Sequence, residues 1–234
     1  MIVSINQPAY LPWLGYFHRI AISDVHVVLD HVQFEKNSFT NRNKIRTKEG
    51  ACWLTVPLRT KGLFGHLAIN QVEIANEQTW AAKHWNALRL NYARAPYFAD
   101  HAPFFEEVYR RQWDSLQALM KVLTGYLLTQ FDIKTPLVFS SGMDVTGRKD
   151  ELVLNICRSI GATIYLSGPL GKQYLREELF QEAGIRVAYH AYQHPAYSQV
   201  YPGFESYMAA IDLLFNLGPQ SHEMIMQSQE KFSI

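Results

Sequence analysis

A chain of 234 residues has room for one large domain or two small ones, and 48% hydrophobic against 18% charged residues is an ordinary globular balance that excludes disorder. A formal net charge of +1, from basic residues that are scattered rather than striped, excludes a nucleic-acid binder. No stretch reaches the ~18 apolar residues of a membrane span, and Met1 runs into a strand without a basic leader, so the chain reads as a soluble, cytoplasmic protein.

Ile2-Val3-Ser4-Ile5 reads as a buried strand, followed by a loop from Gln7 to Tyr16 and an apolar helix from Trp13 to Ile22. A second strand, Val25 to Leu29, ends on Asp30. Strand, loop, helix and strand in about thirty residues make a βαβ unit, whose parallel strands finish at one edge of the sheet. Ligands of such sheets sit outside the carboxyl ends of the strands. The rule places Gln7, Tyr10 and Trp13 beside Asp30, Gln33 and Lys36. His31 to Arg46 is the densest hydrogen-bonding segment of the chain; a solvated loop would account for it. Asn41-Arg42-Asn43, however, brackets an arginine with two amides, and arginine suits bidentate capture of carboxylate or phosphate.

Trp53 to Leu58 reads as a strand that Pro57 ends or confines to an edge. Arg59 to Leu67, with Gly62 and Gly65, reads as a mobile loop, and Ile69 to Ile74 as another strand. Glu77 to Tyr92 places Trp80, His84, Leu88 and Tyr92 on one helical face, where a histidine is more often core than catalytic. Further helices follow at about 101–111 and 115–131, so residues 77–131 form a helical insertion or cap within one α/β domain spanning 1–234. Leu137 to Ser140, Thr163 to Leu166 and Ile185 to Tyr189 are strands; Lys149 to Ile160, Gln173 to Ala183 and Ser206 to Leu217 are helices. The fold expected is α/β: a mostly parallel sheet of βαβ units, nucleotidylyltransferase-like or Rossmann-like, with a helical insertion.

Ser167 to Lys172 is a glycine-rich turn between strand and helix, the shape of an anion cradle, although a tight turn alone explains its glycines and the full phosphate-loop pattern is missing. His190 and His194 have metal-ligand spacing only on a helix, which Pro195 opposes, so no metal is expected. Cys52 and Cys157 form no motif and read as two buried thiols. Asp30 is the most pointed polar residue. A carboxylate closing a buried strand needs a partner, and Lys36 or Arg42 is the obvious one.

Gln7-Pro8-x-Tyr10-Leu11-Pro12-Trp13-Leu14-Gly15-Tyr16-Phe17, Asp24, Leu29-Asp30-x-Val32-Gln33-Phe34-x-Lys36 and Asn41-Arg42-Asn43-x-Ile45 together resemble the WbqC-like family. Later segments resemble it too, among them Trp53-Leu54-Thr55-Val56-Pro57, Ala95-Pro96-Tyr97-Phe98, Tyr165-Leu166-Ser167-Gly168, Tyr174-Leu175, Pro195-x-Tyr197-x-Gln199 and Asp212-Leu213-Leu214-Phe215-Asn216. The resemblance implies a setting among O-antigen and other surface-polysaccharide genes, and transfer of glycine or another small amino acid or acyl group onto a sugar. A more distant likeness is to pantothenate synthetase and related nucleotidylyltransferase-like enzymes. Their HxGH element corresponds to Trp13-Leu14-Gly15-Tyr16 here, and neither ring can supply an imidazolium, so this likeness implies the fold more than ATP activation by that route.

The resulting expectation is an enzyme that makes an amide or ester on a sugar precursor. Asp30 and Lys36 handle substrate polarity, His84 or His18 is the base, and Arg42 with Asn41 and Asn43 binds carboxylate or phosphate. Tyr10 and Trp13 stack on a sugar or base, and Gln7, Tyr16, Gln33, Ser167, Gly168 and Tyr174 complete the binding set. The small-molecule partner is a sugar nucleotide or amino acid, and ATP or a nucleotide-activated substrate is the cofactor to consider. The rival reading is a non-catalytic module that holds a sugar nucleotide or a partner enzyme.

Overall fold

A computed structural model describes residues 1–63 and 65–227. In chain order the elements are β1 (Ile2–Asn6), α1 (Leu14–Ala21), β2 (Val25–Val28), β3 (Arg42–Thr47), β4 (Gly50–Thr55), α2 (Trp80–Tyr92), α3 (Phe98–Arg110) and α4 (Leu116–Gln130). They continue with β5 (Leu137–Phe139), α5 (Lys149–Ile160), β6 (Ile164–Ser167), α6 (Glu177–Glu182), β7 (Arg186–Tyr189), α7 (Ile211–Leu217) and α8 (Ser221–Met226). Five strands form one sheet in the order β5-β2-β1-β6-β7, every pair parallel. This is a Rossmann-like α/β fold.

The central strand shows why both faces are covered. Val3 and Ile5 of β1 point with Val27 into a core shared with α5 and α6. Ser4 points the other way, as the period of two requires, toward the larger core built by α1–α4, α7 and α8. Its hydroxyl meets His26 Nδ1 at 2.7 Å and receives the Ser23 hydroxyl at 2.8 Å, while His26 Nε2 is buried without a partner. Helix ends carry their own signals. The Ser115 hydroxyl accepts from Ala118 N–H at the start of α4, and Gly161, at φ +74°, closes α5 in the left-handed conformation that glycine adopts without strain.

The sequence-based boundaries hold for α5 to the residue and for most other elements within a few residues. Four differ for physical reasons. Arg42–Thr47, read as a polar loop, is a strand paired with β4, with Asn43, Ile45 and Arg46 turned inward. Ile69–Ile74 is not a strand: Ile69, Val72 and Ile74 are buried, but Glu73 and Ile74 find only single bridges, to Ser115 and Leu58, around a short 3-10 turn. The helix expected at 173–183 shrinks to α6, preceded by a 3-10 turn at Pro169–Gln173. The helix expected from Ser206 begins only at Ile211, because the Ala209 and Ala210 N–H groups are engaged by the Lys44 and Pro12 carbonyls. Cys157 is buried as expected, whereas Cys52 is exposed on β4.

The three helices α2, α3 and α4 fall within the predicted 77–131 insertion and meet α7 around Phe215. That ring is fully buried and lies 5.1–5.3 Å from Tyr92, Phe98 and Phe105. Among the described residues no helix is long and apolar enough to cross a membrane. Phe215→Ala is expected to lower unfolding free energy by about 3–5 kcal/mol, seen as a lower urea midpoint at unchanged slope. A loss well under 1 kcal/mol would contradict this packing.

Candidate functional site

Parallel pairing brings all five strand tips to one edge. Across it run Ser140 after β5, Asp30 after β2, Asn6 and Gln7 at β1, Ser167 and Gly168 at β6, and His190 after β7. The loop leaving β1 leads to α1 on one face and the loop leaving β6 leads to α6 on the other, so the strand order reverses between these two tips, which is where a sheet of this kind has its crevice.

Asp30 is fully buried, and its partner is neither Lys36 nor Arg42. The Ser140 hydroxyl and the Ser141 N–H donate to Oδ1 at 3.0 and 2.8 Å, and the Ser141 hydroxyl donates to Oδ2 at 2.7 Å, joined there by the Gln117 amide of α4. Burial alone would raise this carboxyl's pKa; the donors from Ser141, Ser140 and Gln117 outweigh it and hold the pKa below the usual carboxylate value. Four donors fill the lone pairs that a carboxylate offers. Asp30 therefore braces the tips of β2 and β5 against α4, which corrects the expectation of a charge turned toward substrate.

Tyr10 and His84 form a second group, and it lies in the core. Tyr10 is fully enclosed, its hydroxyl 2.8 Å from His84 Nδ1 and 2.5 Å from the Tyr109 hydroxyl, so it offers no stacking face. Burial pulls the pKa of His84 down to about 4, against a smaller upward pull from the Thr55 backbone. Neither role proposed for this pair fits groups so fully engaged. Asn43 is likewise internal. Its amide donates to the Leu11 carbonyl at 2.6 Å and steadies Leu11, which takes a left-handed φ of +46°.

A third group does converge on an open space. Lys36, Asn41 and Arg42 line a cleft of about 300 Å³ with Asn37, Thr55, Thr60 and Gln78. Asn41 donates to the Val56 carbonyl, while Arg42 donates to the Asn37 carbonyl and lies 4.5 Å from the Trp53 ring. Gln33 is exposed and bridges to Ala68 nearby. Tyr16 and Pro8 line a separate cleft of about 210 Å³ with Gln117, Met120 and Lys121. The two clefts share no lining residue, so Asp30's neighbours and Arg42 do not face one hollow.

The fourth group occupies the crevice edge. His18 on α1 and His190 after β7 share a 2.8 Å hydrogen bond between Nδ1 and Nε2. Tyr192 packs against both imidazoles and against Trp13, whose indole covers Gly15 so closely that a Cβ there would fall 2.3 Å from the ring. The His190 N–H donates to the Ser167 carbonyl at 2.8 Å, and Tyr174, half exposed, stands beside Arg19 of α1. Desolvation brings His18 to about 4; desolvation, Arg19 and His18 bring His190 to about 3. Of the residues named from sequence, this edge gathers Trp13, His18, Ser167, Gly168 and Tyr174, with Gln7 on the neighbouring tip of β1.

Sequence reasoning missed Arg19, the pairing of His190, and Asp212. The Asp212 carboxylate is fully buried and accepts from Tyr92, Tyr197 and Gln199, each at 2.8 Å, fastening the segment after β7 to α2 and α7. A charged residue inside an apolar helix was the available signal for Arg19, as it was for Asp212 in α7.

Two measurements follow. Asp30→Asn places an amide opposite the donors of Ser141 and Gln117 and is expected to cost about 1–3 kcal/mol in urea unfolding; unchanged stability would contradict the brace. His18, His26, His84 and His190 have folded pKa values of about 4, 3, 4 and 3, with desolvation the leading cause for each. An unfolded histidine titrates near 6.5, so below that pH the unfolded chain binds more protons. Stability should be level above about pH 6.5 and fall steadily on acidification toward pH 4. A urea midpoint that stays flat through that window would mean that these imidazoles are not held neutral.

The profile of the WbqC-like protein family matches residues 7–224. A Mycobacterium tuberculosis protein, named as the uncharacterized protein Rv1507c, is 36% identical over 225 residues, spanning 95% of this chain and 96% of the relative. No solved structure matches. The matched span takes in the first loop, the helical layer and the strand tips alike; the chain belongs to the WbqC-like protein family.

Proposed function

We propose that this protein is a transferase that attaches glycine or another small acyl group to the amine or hydroxyl of a sugar precursor for surface polysaccharide. The observation that carries the reading is the His18–His190 pair at the strand tips, held neutral by burial, to which Arg19 adds at His190. At about 4 and 3 the pair is weakly basic in the free protein. An anionic group of the substrate beside it would raise its pKa, and a neutral imidazole could then accept the proton that an attacking amine loses as the new bond to the acyl carbon forms and the activating group departs. ATP or a nucleotide-activated substrate would supply that activating group. Trp13 and Tyr192 give an aromatic wall beside the pair. In this reading Asp30 is a positioning residue, and the Lys36–Asn41–Arg42 cleft offers a second polar surface for the sugar partner.

The rival reading, a binding module without chemistry, is favoured by one feature: the Trp13 indole lies over Gly15 and Tyr16 is buried, where the distant nucleotidylyltransferase-like relatives carry their imidazoles. Purified protein is incubated with glycine, ATP and an amino-sugar nucleotide and followed by mass spectrometry. The transferase should yield a product heavier by one glycyl residue, and His18→Gln should cut the rate by about 10²-fold or more. Thermal stabilisation by the sugar nucleotide with no product over any amino acid or acyl donor would establish the module instead.

A further inference from the structure

Arg19, on the second turn of α1, is 7% exposed. Its Nε is sealed from solvent without an acceptor, and among the described residues nothing accepts a hydrogen bond from either Nη. A guanidinium keeps its proton in proteins, so this packing encloses a charge. The enclosed carboxylates here are answered: Asp150 receives the exposed Arg176 at 2.7 and 3.1 Å, Asp30 collects four donors and Asp212 collects three. Arg46, the other enclosed guanidinium, has a partnerless Nε but gives both Nη groups to carbonyls, of Thr47 and Pro202. Among the described residues no acid answers Arg19. The groups that feel its charge are Tyr16, Tyr165 and Tyr174 and the imidazoles of His26 and His190.

Its direction matters as much as its isolation. Nη1 reaches the tip of β6 at Gly168, where a Cβ would stand only 2.5 Å away. Gly171 is just as close to Ser167, since a Cβ there would fall 2.0 Å from the hydroxyl oxygen. The glycine-rich turn thus leaves bare backbone where the guanidinium fork emerges, beside the crevice between β1 and β6. Unlike Nε, the Nη groups are not sealed. An unanswered fork at the carboxyl ends of parallel strands is the arrangement that captures an oxyanion.

We propose that Arg19 anchors an oxyanion, the phosphoryl or carboxylate group of a small-molecule substrate, in the crevice between the tips of β1 and β6. The inference rests on the reading of this edge as a substrate site, and it requires no transfer chemistry.

The test follows the ring resonances of His18 and His190 by NMR in the full-length protein while inorganic phosphate, UDP, acetate or glycine is added at constant ionic strength. Saturable shifts at both imidazoles are expected from phosphate and UDP if the anchored group is phosphoryl, or from acetate and glycine if it is carboxylate. Arg19→Lys should weaken that binding about tenfold, because a point charge replaces a fork, and Arg19→Gln should remove it. If none of the four shifts either imidazole in the wild-type protein, or if Arg19→Gln leaves the shifts intact, the site does not exist. The wild-type titration decides the matter even where the variants fold poorly. Binding without product in the mass-spectrometric assay would sink the transfer reaction and leave the anion site standing; product without these shifts would do the reverse.

Discussion

Parallel pairing is the constraint from which the rest follows. Five strands running the same way need crossovers on both faces, and those crossovers bury the three inner strands while the edge strands β5 and β7 stay partly exposed. A sheet covered in this way can meet a small molecule only where its strands end. Every polar group of interest in this chain accordingly sits at a strand tip, in the loop that follows one, or on the helix packed over it. The same constraint explains why Asp30 needs four donors: the tip of β2 is flanked by β1 and β5 and roofed by α4, so the carboxylate has no water to lean on.

Enclosed polar side chains divide sharply by whether they are answered from within. Tyr10 links His84 and Tyr109, and Asp212 is met by two phenols and an amide. Such closed networks fix a single packing arrangement and leave nothing for a ligand. The corner formed by α1 and the ends of β6 and β7 is different, because its cation is unanswered and its two imidazoles are neutral. That open guanidinium fork is the observation on which the proposed anion site rests.

How much of this could be read in the residues depended on the range of the interaction. The alternation of strand and helix after Pro136 was legible because period and glycine stops are local; Lys149 to Ile160 with Gly161 is the clear case. The βαβ opening was legible for the same reason. Arg42–Thr47 was not, because its polar composition hides the inward row of Asn43 and Ile45, which only the β4 partner explains. The candidate residues fared by the same rule. Ser167 and Gly168 were visible as a turn, and Trp13 as part of a loop. The true partners of Asp30 lie 87 to 111 residues away, at Gln117, Ser140 and Ser141. Nothing in the sequence ties Tyr10 to His84 and Tyr109 either, and the stacking role assigned to Tyr10 fell with that contact.

The Asp212 node deserves a last consequence. It clasps the strap of chain between β7 and α7, the stretch that carries His190 and Tyr192 to the crevice. Other contacts fasten the strap as well, from His190 to the Ser167 carbonyl, from Arg46 to the Pro202 carbonyl, and from the Ala209 and Ala210 N–H groups to Lys44 and Pro12, so it is tied down along its length. A segment tied to the layer beneath it at several points opens only with that layer, so hydrogen exchange along 190–210 is expected to proceed as a block rather than residue by residue.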